Sequence, residues 1–79
     1  MKLPRDIKAA ELVKLLKQFG YTSSRQKGSH IRMTTFKNGK HHLTVPNHNP
    51  VRTGTLNQIL SDVASHFNTT KEEIIELLF

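Results

Sequence analysis

The sequence predicts an α+β fold in which a three-stranded antiparallel sheet has its helices on one face. Two patterns lead to this prediction. Apolar residues recur at helical spacing near the start and in the last third of the chain, whereas apolar and polar residues alternate between Tyr21 and Val45. An Asn38-Gly39 pair divides the alternating stretch, as in a β-hairpin. The predicted order is α-β-β-β-α, followed by a short extra C-terminal helix.

The first helix is predicted from about Lys8 to Phe19. Its apolar stripe comprises Leu12, Val13, Leu16 and Phe19. Gly20 follows directly and is typical of the residue that ends a helix.

Two turns define the strands of the sheet. Gly28-Ser29 suits a two-residue type II′ turn between a first strand, at about Thr22–Lys27, and the second strand. For the next hairpin, a two-residue loop would place polar residues opposite apolar ones. A three-residue loop, Lys37-Asn38-Gly39 with Gly39 left-handed, instead pairs Met33 with Leu43 and Ile31 with Val45. We therefore predict the three-residue loop.

This register leaves one face of the sheet away from the core. Lys27 would lie opposite His30, and Arg25 opposite Arg32. We call this surface the open face, and it is predicted to carry cations, hydroxyl groups and two imidazoles: Arg25, Lys27, His30, Arg32, Thr34, His42 and Thr44.

A loop rich in Asn and Pro leads from the sheet to two C-terminal helices. The first is predicted from about Thr55, with its apolar stripe at Leu56, Ile59, Leu60, Val63 and Phe67. Asn68 ends it, and Thr70-Lys71-Glu72-Glu73 has the pattern of a capping box that starts the last helix.

The composition bounds the function. A chain of 79 residues predicts one small domain, residues 1–79. Without cysteine it has neither disulfides nor thiolate metal ligands, which fits a cytoplasmic protein. The alternating charges of residues 2–8 are unlike a signal peptide, and no apolar run suits a membrane span. The histidines lack nearby acidic residues, so we predict no metal site and no small-molecule cofactor.

Positive charge is concentrated in the first two thirds of the chain. The formal net charge is +6, but residues 1–54 contain eleven Lys and Arg and only Asp6 and Glu11. Such a surface predicts binding to a polyanion, the alternative being a basic surface that only keeps the protein soluble.

The segment Arg25-Gln26-Lys27-Gly28-Ser29-His30 is the strongest candidate for chemistry. An imidazole is suited to proton transfer near neutral pH, and His30 follows a tight turn after two cations. It could instead be an exposed strand residue that contacts phosphate.

The other candidates would assist His30. His42 and His48 are candidates for the second proton-transfer group, whereas His41 and His66 are expected to be exposed and without a role. Arg25, Lys27 and Arg32 would bind phosphate. Ser29 would orient His30 or would simply complete the turn. The amides of residues 53–55 could bind phosphate, although ordinary helix capping explains these residues equally well.

Several motifs together resemble the HicA toxin family of prokaryotic toxin–antitoxin modules. They are the segment ending in Gly28-Ser29-His30, the run Leu43-Thr44-Val45-Pro46-Asn47-His48, and Gly54-Thr55-Leu56 with Ile59-Leu60. The first helix, with Gly20-Tyr21 after it, and Glu72-Glu73-Ile74 fit the same pattern, so the resemblance covers nearly the whole chain. The link Ser65–Thr69 is longer than usual, and Ile31-Arg32 stands where many members have a second histidine or an aromatic residue.

The resemblance implies a fold like that of double-stranded-RNA-binding domains and an mRNA endoribonuclease activity with His30 as the catalytic residue. It also implies a HicB antitoxin that blocks the site. We therefore predict a toxin that binds mRNA through the open face and cleaves it without a metal. The alternatives are a non-catalytic RNA-binding module of the same fold and an interaction protein with an acidic partner.

Overall fold

A computed structural model describes residues 6–79, so most of the N-terminal segment considered above lies outside the described part. The elements, in chain order, are α1 (Ala9–Gln18), β1 (Thr22–Lys27), β2 (His30–Thr35), β3 (His41–Pro46), α2 (Thr53–His66) and α3 (Lys71–Leu78). The predicted α+β order, with its short extra helix, is confirmed.

Helix α1 begins and ends with local hydrogen bonds. At its start, the backbone N–H of Lys8 donates to the carboxylate of Glu11 over 3.0 Å. At its end, Gly20 has a φ of +112°, and Tyr21 N–H donates to the carbonyl of Leu16 over 3.0 Å. This is the Schellman arrangement, in which a left-handed glycine turns the chain out of the helix. The predicted helix end at Gly20 is confirmed.

The hairpin of β2 and β3 has the predicted register. Met33 pairs with Leu43 and Ile31 with Val45, so the apolar side chains of both strands lie together on one face. Gly39 has a positive φ of 96°, as predicted, and Asn38 also has a positive φ, of 56°.

The hairpin of β1 and β2 has the predicted pairs next to its turn. Lys27 pairs with His30 and Arg25 with Arg32, and Gly28 has the positive φ that the first position of a type II′ turn requires. A β-bulge then shifts the register between Ser23 and Arg25, which we did not predict. Every residue of β1 is exposed, so no apolar alternation marks the register of this edge strand.

Helix α2 begins at Thr53, two residues before the predicted position. Its buried face contains four residues of the predicted stripe and one more: Leu56, Ile59, Leu60, Val63 and Ala64. Phe67 is the half-buried C-cap residue, and Asn68 ends the helix with a φ of +55°.

Helix α3 has half of the predicted capping box. The hydroxyl of Thr70 accepts a hydrogen bond from the N–H of Glu73 over 3.2 Å. The carboxylate of Glu73 accepts from the hydroxyl of Thr69 instead of returning to the backbone of Thr70. The helix start was predicted correctly, whereas the reciprocal bond was not.

One hydrophobic cluster joins the apolar face of the sheet to the helices. Its fully buried members include Leu12 and Leu16 of α1, Met33 and Val45 of the sheet, and Leu60 of α2. Helices α1 and α2 both contact β3, so the helices lie on the apolar side, as predicted, and the open face is left to solvent. No helix within residues 6–79 has the length and apolarity that a membrane span requires.

Candidate functional site

A cleft of about 490 Å³ lies where β2 begins, β3 ends and α2 begins. It is lined by two histidines, one arginine and three smaller side chains: His30, His48, Arg52, Pro46, Val51 and Thr55. His30 is the first residue of β2 and pairs with Pro46 of β3. The structure therefore brings His30 and His48 to the same cleft.

Hydrogen bonds to distant segments hold the loop that carries His48. The N–H of Asn47 donates to the carbonyl of Ser29 over 2.6 Å, which fixes the start of the loop beside the turn that precedes His30. Further along, the side-chain oxygen of Asn49 accepts from the N–H of Ala9 over 2.9 Å. The position of His48 therefore depends on both the β1–β2 turn and the start of α1.

Arg52 is a cleft residue that the sequence did not indicate. It is the N-cap residue of α2, and its side chain is exposed. Because α2 was predicted to start near Thr55, Arg52 was assigned to the preceding loop and not considered as a ligand. The first turn of α2 has no acidic residue, so the partial positive charge of the helix start adds to that of Arg52.

The predicted phosphate ligands lie on the open face outside the cleft lining. Arg25, Lys27 and Arg32 are exposed, and the pairs Lys27–His30 and Arg25–Arg32 place all three on the same side of the sheet as His30. Ser29 is also exposed, and its backbone carbonyl accepts the hydrogen bond from the N–H of Asn47.

His42 is separated from the cleft. It lies opposite Thr34, four residues along β2 from His30, a distance of about 13 Å at the usual rise of a strand. Its Nδ1 lies 2.9 Å from the hydroxyl of Thr34, which in turn lies 2.9 Å from the hydroxyl of Ser24. We predicted Thr34 as a hydroxyl of the open face, but these two neighbours cover it and leave only 4% of it exposed.

Comparison with known protein families shows the family of this chain. Residues 9–64 match the family described as "HicA toxin of bacterial toxin-antitoxin". The chain belongs to the HicA toxin family. The resemblance carried by the motifs is confirmed for this part of the chain. Searches of curated proteins and of solved structures gave no significant match.

The HicA match covers the whole sheet and every residue of the cleft, and it ends within α2. The segment Glu72-Glu73-Ile74, which we included in the resemblance, therefore lies outside the matched residues. The α+β architecture of this HicA-family protein is consistent with the double-stranded-RNA-binding-domain-like fold that the resemblance implied.

His41 and His66 are half-buried, and the expectation that both are exposed was wrong. Their rings stack with centroids 4.4 Å apart, because the tip of the second hairpin packs on the end of α2. The Nε2–H of His66 donates to the carbonyl of Lys37 over 2.8 Å. The two histidines therefore join the hairpin tip to α2 in this HicA-family chain.

The hydroxyl of Tyr21 completes this contact. Burial, with a smaller effect of the Asp62 carboxylate, raises the pKa of Tyr21 to about 12, so the hydroxyl stays protonated. It lies 2.8 Å from Nδ1 of His41 and donates to it when that imidazole is neutral. Burial, followed by the charge of His66, lowers the pKa of His41 and favours that neutral form.

Within residues 6–79, no three His, Asp or Glu side chains come close enough together to hold a metal ion. The chain has no cysteine that could add a ligand.

Proposed function

We propose that this protein is the toxin of a toxin–antitoxin module and acts as an endoribonuclease on mRNA. The observation that carries the proposal is the shared cleft of His30, His48 and Arg52, in a chain that belongs to the HicA family. Two imidazoles and a guanidinium can supply the general base, the general acid and the positive charge that metal-free cleavage of RNA requires.

The reaction needs a base and an acid on opposite sides of one phosphate. The base removes the proton from the ribose 2′-OH, whose oxygen forms a bond to phosphorus. The P–O5′ bond breaks, and the acid gives a proton to the leaving 5′ oxygen. His30 supplies one of these groups. His48 supplies the other, because it shares the cleft with His30 whereas His42 lies about 13 Å along the strand.

Positive charge stabilises the transition state. Negative charge grows on the non-bridging oxygens of the phosphate as the bond to the 2′ oxygen forms. Arg52 lines the cleft, and Lys27 lies opposite His30 on the neighbouring strand. Both can donate to these oxygens, while Arg25 and Arg32 bind neighbouring phosphates of the mRNA on the open face.

Cleavage of a labelled RNA by the purified protein tests the proposal. His30→Gln and His48→Gln should each lower kcat/KM by at least about 100-fold, the usual contribution of general acid–base catalysis. His66→Gln is the matched control, because it is the same substitution outside the cleft and retains a donor for the Lys37 carbonyl. A chelator should leave the rate unchanged. Equal activity of His30→Gln and the parent protein would show that His30 is not catalytic.

The same preparation distinguishes the alternative RNA-binding module. A protein that binds RNA with a steep dependence on salt but never cleaves it would be such a module. Growth arrest on expression of the parent protein, and its absence with His30→Gln, should accompany cleavage if the toxin proposal is correct.

We also propose a HicB-like antitoxin as the protein partner, because the chain belongs to the toxin family of such modules. Co-expression with a HicB-family protein encoded beside it should relieve growth arrest and yield a co-purifying complex without ribonuclease activity. Continued growth arrest despite soluble expression of that protein would exclude it as the antitoxin.

A further inference from the structure

A chain of hydrogen bonds on the open face is not used by the proposed cleavage step. The hydroxyl of Ser24 donates to the carbonyl of Arg32 over 3.3 Å and lies 2.9 Å from the hydroxyl of Thr34. The hydroxyl of Thr34 lies 2.9 Å from Nδ1 of His42. Ser24 is the residue displaced by the β-bulge, so the irregularity of β1 brings its hydroxyl to this chain.

These bonds hold the His42 ring in one orientation in both of its charge states. When His42 is neutral, the hydroxyl of Thr34 can donate to Nδ1. When His42 is protonated, Nδ1–H donates to the hydroxyl oxygen of Thr34. The hydroxyl of Thr34 then donates to the hydroxyl oxygen of Ser24, and the hydroxyl of Ser24 donates to the backbone carbonyl of Arg32. Nε2 of the exposed His42 ring stays available to a ligand throughout.

The charges around His42 are all positive. Desolvation of the ring, followed by the positive charges of Arg32 on β2 and Lys40 in the hairpin loop, lowers the pKa of His42 although the residue is exposed. Arg25 of β1 lies opposite Arg32, and His41, the neighbouring residue on β3, is a further titratable group that interacts with His42. Residues 21–46, which include the whole sheet, contain no Asp or Glu. The cluster therefore has no carboxylate of its own sheet to neutralise it, and it suits an anion.

We infer that Arg32, Lys40 and His42 form a second phosphate subsite, which holds the backbone of the RNA substrate away from the cleft. Thr34 and Ser24 are its positioning residues. Within the subsite, His42 lies about 13 Å along the open face from His30, a length that stacked RNA covers in roughly four nucleotides at about 3.4 Å each, and Arg32 lies between the two along β2. The inference rests on the proposed function for the identity of the ligand as RNA.

The first experiment separates binding from cleavage by using His30→Gln with an uncleaved eight-nucleotide RNA. The imidazole resonances of His42 are followed by NMR as a function of pH. A bound phosphate should offset the charges of Arg32 and Lys40 and raise the pKa of His42, while a dinucleotide, too short to span the distance, should not. If the octanucleotide binds and the titration of His42 is unchanged, the subsite is wrong. This result is independent of whether the parent protein is a ribonuclease.

The second experiment measures cleavage of the two RNAs by the parent protein and three variants. His42→Gln and Lys40→Gln should each raise KM for the octanucleotide by about tenfold, the effect of one lost hydrogen bond to a charged group, with kcat unchanged. Neither should alter kcat/KM for the dinucleotide. Lys17→Gln is the matched control, since this exposed lysine lies on α1, on the other side of the sheet.

The outcomes distinguish this inference from the proposed function. A fall in kcat of His42→Gln on the dinucleotide would make His42 a proton-transfer group and overturn the subsite. If Lys17→Gln raised KM as much as Lys40→Gln, the effect of Lys40 would come only from the net charge of the protein. This result would also overturn the subsite. The large fall in kcat/KM expected for His30→Gln and His48→Gln in the assay of the proposed function, together with the KM effects above, would support both.

Discussion

The side chain of Asn49 joins the loop that carries His48 to the first turn of α1, and Asn49→Ala should weaken this contact. The substitution removes the acceptor for the N–H of Ala9, a residue with no exposed surface. An unsatisfied buried N–H costs about 1–3 kcal/mol, and a lost helix cap costs about 0.5–2 kcal/mol. These ranges describe the same lost bond, so they overlap and do not add.

We expect a loss of about 1.5 kcal/mol in the free energy of unfolding, which lowers Tm by roughly 6–12 °C in a domain of this size. Urea unfolding followed by circular dichroism measures it. Asn47→Ala is the matched control, because it is the same substitution in the same loop and keeps its backbone bond to Ser29. The control should change stability by less than about 0.5 kcal/mol. Equal losses in the two variants would refute the reasoning.

Two further predictions concern conformation and pH. Gly20→Ala should cost about 1 kcal/mol or more in urea unfolding, because the φ of +112° is strained for alanine, whereas Gln18→Ala in the preceding helix should change stability little. A small effect of Gly20→Ala would contradict the left-handed helix end. The lowered pKa of His41 makes the unfolded state bind more protons, so stability should fall as the pH decreases below the ordinary histidine value of about 6.5. His41→Gln should show a shallower fall between pH 7.5 and 5.5, and an identical slope in the two proteins would exclude this contribution.

The parts of the fold that were predicted correctly are those with a repeating apolar pattern. The pairing of Met33 with Leu43 follows from alternation, because a shift of one residue would leave an apolar side chain of one strand opposite a polar side chain of the other. The bulge at Ser24 could not be found in this way, since both faces of β1 are exposed and alternation has no effect there.

The candidate site depends on contacts between segments that are distant in sequence. His30 was identified from its own motif, but the proximity of His48 depends on a backbone hydrogen bond between Asn47 and Ser29. The stacked ring of His66 depends on how the hairpin tip meets α2. Backbone hydrogen bonds of this kind leave no pattern in side-chain type. The sequence therefore identified the histidines as candidates but could not predict which of them lie in the cleft.

The bulge in β1 also affects how the protein behaves at high concentration. An edge strand offers unpaired backbone groups to any other extended chain, and a regular edge can extend into an aggregate. Here Ser24 interrupts the regular spacing of those groups, and the edge strand carries Arg25 and Lys27. Two copies that approach edge to edge bring these cations against each other. The charges proposed to attract RNA thus also oppose self-association through β1.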